Sequence, residues 1–96
     1  MPEIHPRKIK IRRHTWTLVT HDMPDDGLCE YLARSPRKHI WIHPALTGER
    51  MLDVLVHECL HCALPDIDEV VISDTASSIA KILWDLGYRC EWDEES

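Results

Sequence analysis

The strongest chemical signal in the chain is the run His57-Glu58-Cys59-Leu60-His61, two imidazoles four residues apart with a carboxylate directly after the first. On a helix, residues four apart lie one turn up the same face, so both rings can reach a single ion. Glu58 lies about 100° around the helix from His57. It is then close enough to touch a water at that ion without being a ligand itself. Zinc held by imidazoles lowers the pKa of such a water towards about 7, and a nearby carboxylate can take its proton during attack on a carbonyl. The motif stands between Leu52-Asp53-Val54-Leu55-Val56 and Cys62-Ala63-Leu64. In so apolar a setting three ionisable groups are costly unless they serve one another.

A third ligand is expected on the next helical segment. Ile72, Ala76, Ile79, Ala80, Leu83 and Leu86 form one stripe at helical spacing. Glu69 falls about 20° from Ala76 in that projection, whereas Asp74 and Asp85 fall about 160–180° away. An acid on a core-facing stripe needs a partner, and a cation supplies one. His61 lies four residues before Pro65 and Glu69 four after it, so helices folded back at the proline bring the two level. Glu69 is therefore the expected third ligand, with Asp66, Asp68 and Asp74 as the alternatives.

Cys59 and Cys62 make a C-x-x-C, but both project to the back of the helix, away from His61, and Cys29 and Cys90 stand apart from them. Without a visible export signal the four cysteines read as reduced thiols or metal ligands before disulfides, and these positions read best as buried thiols acting as small apolar groups. His39 and His43 share a strand face with Trp41 and are candidates to assist binding or oxyanion stabilisation.

The elements that must carry these residues are legible in outline. Lys8–Arg12 alternates polar and apolar, and Thr15–Val19 continues in strand-forming residues. Met23-Pro24-Asp25-Asp26-Gly27 is a turn by composition, Leu28–Ala33 a third strand, and Ser35-Pro36 a second turn. Lys38–Ile42 alternates cleanly until Pro44. These strands punctuate like a β-meander. Thr47 is a candidate N-cap for a helix from Glu49 to Leu64, stopped by Pro65; Asp66 or Asp68 caps a second helix that runs to about Leu86 and stops at Gly87. The expected fold is α+β: a small antiparallel sheet of three to four strands packed on two C-terminal helices.

Composition narrows the function classes. Ninety-six residues suit one domain, with its core at about 7–89 and an acidic tail, Glu91 to Glu95. A net charge of −6 argues against general nucleic-acid binding. The early basic run, Arg7 to Arg13, reads as a solvated strand face. No apolar run approaches the ~18 residues of a membrane span and no signal-peptide core follows the N-terminus, so a cytoplasmic protein is expected. Seven histidines form the one compositional excess, and it points to metal chemistry.

The strand ending Ile40-Trp41-Ile42-His43-Pro44, followed by Leu52 to Ala63 with its H-E-x-x-H, resembles the zincin metallopeptidases. More narrowly, the chain is similar to small HExxH metallopeptidases encoded by bacteriophages and bacteria. Their acidic-plus-Val helix start is matched by Asp68-Glu69-Val70-Val71 and their closing segment by Leu86-Gly87-Tyr88-Arg89. The resemblance covers about residues 7–89. It implies a minimal zincin fold, Zn2+ held by His57, His61 and an acidic ligand on the following helix, and Glu58 as general base. It also implies a peptide or protein substrate and, for a phage-encoded chain, the host cytoplasm as its place of action; charge and the lack of an apolar span already lead one to expect no nucleic-acid or membrane partner. By the same likeness, Lys38–His43 is expected to be the edge strand on which extended substrate pairs. The rival expectation is a non-enzymatic, zinc-stabilised binding module.

Overall fold

The computed structural model describes residues 7–20, 24–31 and 38–89. Four strands come first, β1 (Arg7–Ile11), β2 (His14–Thr20), β3 (Gly27–Tyr31) and β4 (Lys38–Ile42), then two helices, α1 (Gly48–Ala63) and α2 (Glu69–Asp85). The α+β expectation holds. The Ser35-Pro36 turn, the acidic tail and Cys90 lie outside the described residues, as do Met23 and the end of the expected third strand.

The sheet is not a meander. Its order is β1-β2-β4-β3, with β4 inserted between β2 and β3. β1 pairs antiparallel with β2, and β3 antiparallel with β4, but β2 and β4 run parallel, Leu18 opposite Ile40 and Thr20 opposite Ile42. The sheet is therefore mixed, which corrects the antiparallel expectation. Burial explains the placement: Ile40 and Ile42 are fully buried on one face of β4, and Trp41 is half-buried on the other. A strand apolar on both faces gains most in the middle of a sheet. Leu28 of β3 stays about half exposed, as suits an edge. The edges of the sheet are β1 and β3, and β4 has no free side.

One face of the sheet meets α1. Ile9, Ile11, Trp16, Leu18, Cys29, Ile40 and Ile42 close over Met51, Val54, Leu55, Cys59 and Cys62 of α1. Alternation puts all the sheet residues of this set on the same side, because side chains two apart share a face. α2 lies against α1 through Ile72, Ala76 and Ala80, all buried, and the small alanines let the helices approach closely. Ile79 and Leu83 flank that contact half-buried, whereas Leu86 at the end of the expected stripe is exposed.

The helix ends follow local chemistry. Thr47 is the N-cap residue of α1 but makes no side-chain cap bond. Pro65 ends the helix, and the guanidinium of Arg12 donates to the Ala63 carbonyl at 3.1 Å. A cation at that point satisfies an orphan acceptor and opposes the helix dipole. Asp68 caps α2, accepting from the Val70 amide at 3.2 Å. Gly87 stops α2 at φ +96, a conformation that favours glycine.

Candidate metal centre

α1 delivers His57 and His61 from one face, as the four-residue spacing requires, and the Pro65 turn brings the first residue of α2 back to their level. The His57 and His61 Nε2 atoms are 3.0 Å apart. Glu69 reaches both: Oε2 is 3.2 Å from His57 Nε2, and Oε1 is 2.7 Å from His61 Nε2. The Ser73 hydroxyl, one turn further along α2, donates to Glu69 Oε2 at 3.1 Å and steadies the carboxylate. Among the described residues, His57, His61 and Glu69 form a group that could hold a metal ion.

The donor set fits a cation on its own geometry. Four ligands at about 2.0–2.1 Å around a tetrahedral ion stand about 3.3 Å apart. The three observed separations of 2.7–3.2 Å approach that spacing. Two imidazole nitrogens and a carboxylate meeting at one point crowd lone pairs together, an arrangement that a cation relieves. The alternatives for the third place do other work or lie elsewhere: Asp68 caps α2, while Asp66 and Asp74 are exposed and outside the group.

Glu69 was expected inside a buried stripe, yet its side chain is 61% exposed. At the first position of α2 the stripe has reached the rim of the helix pair, so Glu69 faces the histidines and solvent together. Desolvation raises its carboxyl, but the Ser73 and His61 hydrogen bonds and the potential of His57 and His61 together outweigh it and hold the group below the ordinary glutamate value.

Glu58 is the acid that is buried, at 9% exposure. Burial pushes its carboxyl above the ordinary glutamate value, against the opposing pull of His57, His61 and a hydrogen bond from the Cys29 backbone amide. That amide points outward from the sheet. The His43 amide donates to the Asp26 carbonyl at 2.8 Å, so the bonded pairs of the β3–β4 ladder alternate from there and Cys29 falls at a non-bonded position. Gly27 supplies the remaining room: a Cβ there would lie 2.8 Å from Val54 Cγ1 and 3.0 Å from Glu58 Cγ.

Two hollows open on this carboxylate. One, of about 410 Å³, is lined by Asp25, Asp26, Arg50, Asp53, His57 and Glu58 among others. Arg50 pairs with Asp26 across it, and Ser77 donates to Asp53 at 2.9 Å. The second, of about 420 Å³, runs along β3 between Gly27, Leu28, Cys29, Glu58, His61 and Pro65. Sequence reasoning missed Gly27 and the Cys29 amide as neighbours of Glu58. The Asp-Asp-Gly turn was visible, but nothing local shows that its far side faces α1.

The cysteine expectation is overturned. Cys29 and Cys62 form a disulfide with their Cα atoms 6.1 Å apart, joining β3 to α1 across 33 residues. Both were expected as free thiols; once β3 is the strand beside α1, Cys29 and Cys62 face each other on the core side. Cys59 is free and packs against the same core. Burial pushes its thiol up to about 11. His39 stacks on Trp41 at 5.4 Å, on the sheet face turned away from the helices, and His43 Nδ1 accepts from the Ala45 amide at 3.0 Å. Neither is brought to the His57–His61–Glu69 group.

None of the helices is long and apolar enough to cross a membrane among the described residues. No family model, curated protein or solved structure matches this chain, so the reading of the site rests on its own geometry.

Proposed function

We propose that the chain is a zinc-dependent, metallopeptidase-like hydrolase of minimal zincin type, with His57, His61 and Glu69 as the metal ligands and Glu58 as general base. The observation that carries this reading is the convergence of three ligand atoms at 2.7–3.2 Å beside a buried carboxylate that is not one of them. Three protein ligands is the number found at catalytic zinc sites, whereas structural sites use four. When bound, the ion supplies Lewis acidity, polarising a substrate carbonyl and making water acidic near neutral pH. Glu58 accepts the proton of the attacking water on a carboxylate oxygen and returns it to the leaving amine. The Cys29 amide donates to that carboxylate, and Gly27, lacking a Cβ, leaves room for it.

The substrate class that suits the site is an extended peptide or protein segment. β3 offers the free sheet edge that the resemblance assigned to β4, and the hollow along it leads from Leu28 to Glu58 and His61. Pairing with an edge strand orients a substrate by its main chain.

The test combines metal analysis with hydrolysis of a peptide library. Purified protein should carry one zinc per chain. Glu58→Gln should keep the metal and lose roughly 10²-fold or more in turnover, because the amide cannot serve as the base. His57→Ala and His61→Ala should lose metal and activity together. A Glu58→Gln variant as active as wild type would sink the mechanism. Stoichiometric zinc with no peptide cleaved would move the reading to a zinc-stabilised binding module.

A further inference from the structure

The Cys29–Cys62 disulfide sits where it can govern Glu58. Cys62 follows His61 directly on α1, and Cys29 lies at the centre of β3, the edge strand that only β4 holds on its other side. The same Cys29 supplies, through its backbone amide, the hydrogen bond to the Glu58 carboxylate. Gly27, two residues earlier, has no Cβ to hold Glu58 off, so the strand lies directly on the side chain. The metal ligands depend on a different contact, that of α1 with α2. The general base and the ligand set are thus secured by separate pieces of the fold.

We propose that the Cys29–Cys62 disulfide is a positioning element for Glu58: it clamps β3 to α1 and holds the Cys29 amide on the carboxylate. Opening the bond then loosens the base without releasing the metal. The proposal rests on the reading of Glu58 as general base for its effect on turnover, but its structural content does not. Reduction is a two-electron step. A water-soluble phosphine attacks one sulfur, the Sγ–Sγ bond breaks, and the other sulfur leaves as a thiolate and takes a proton. Water then releases the first sulfur as a thiol and leaves the phosphine as its oxide. In a thiol-rich compartment, exchange with two equivalents of thiol reaches the same dithiol state. Hydrolysis by this protein then follows the redox state of its surroundings, on in the oxidised form and low in the reduced form.

The experiment uses the full chain, zinc-loaded, in three states: oxidised, phosphine-reduced, and reduced then reoxidised. A Cys29→Ala/Cys62→Ala variant serves as the permanently open form. Amide hydrogen exchange is read residue by residue, with zinc content and peptide-hydrolysis kcat and KM measured alongside. Reduction should speed exchange at the Cys29 amide about tenfold or more while β2 amides keep their rates, since the opening is local. Zinc should stay at one per chain, and kcat should fall about tenfold because the base is displaced, while KM shifts to the extent that the loosened β3 also pairs with substrate. Reoxidation should restore both. Unchanged exchange at Cys29, exchange that rises equally in β2, or loss of zinc on reduction would each overturn the proposal. If the oxidised protein cleaves no peptide, the hydrolase reading fails, and the exchange pattern still decides whether the disulfide positions Glu58.

Discussion

Replacing Gly27 by alanine perturbs the site while leaving every ligand and the proposed base in the sequence unchanged. The added Cβ would lie 2.8 Å from Val54 Cγ1, 3.0 Å from Glu58 Cγ and 3.2 Å from Glu58 Oε2. Ordinary carbon–carbon contacts are about 3.5–4.0 Å, so the first overlap is about 0.7 Å or more. Val54 cannot yield cheaply: it is buried, and a β-branched residue in a helix has one strongly preferred rotamer. β3 cannot simply retreat either, because Cys29, two residues on, is tied to α1. Overpacking of this kind costs about 1–3 kcal/mol. For a domain near this size each kcal/mol lowers Tm by about 4–8 °C, so a drop of at least about 4 °C is expected. The Glu58 carboxylate is displaced as well, and a shift of about 1 Å at a catalytic group costs on the order of 10²-fold in rate. Thermal unfolding followed by circular dichroism, zinc analysis and peptide hydrolysis on one preparation read all three consequences. Gly27→Ala should melt lower, keep its zinc and lose turnover. A variant with wild-type Tm and wild-type turnover would show that β3 does not press on α1 as argued.

Three further outcomes are expected. Chelation should lower Tm, because an ion that binds only the folded chain adds about 2.7 kcal/mol at a hundredfold excess over its Kd; an unchanged melting curve after verified metal removal would contradict the His57–His61–Glu69 site. Ala76→Leu should cost about 1–3 kcal/mol, since Ala76 is fully buried between the helices, and it should weaken zinc binding by shifting α2 and with it Glu69; denaturant unfolding and zinc titration check both. The Cys59 thiol, held at about 11 by burial, should resist alkylation at pH 8 in the folded protein and react at once after unfolding, as peptide mapping would show.

Much of the candidate site could be read from the chain because its logic is local. His57 and His61 share a helix face whatever surrounds them, since 3.6 residues per turn sets that geometry, and Pro65 and Asp68 mark where α1 must stop and α2 begin. The level match of His61 with Glu69 follows from that short turn and is met at 2.7 Å. The alternation of Ile40 with Trp41 likewise told which side chains share a face, and Cys59 and Cys62 lie on the core side of α1 as helical angles require.

What the sequence could not settle was order across the sheet, and the remaining surprises follow from it. Alternation sets which face a residue occupies but not which strand lies beside which, because pairing is a contact between distant segments that no local pattern encodes. Once β4 slots between β2 and β3, β3 becomes the edge beside α1. That single choice puts Cys29 opposite Cys62, turns two expected free thiols into a disulfide, and aims the Cys29 amide and the bare Gly27 at Glu58. Helical periodicity placed Glu69 towards the histidines, but its exposure depended on where the helix pair ends, which only the packed structure decides. The ligand spacing belongs to the chain; the surroundings of the buried acid belong to the fold.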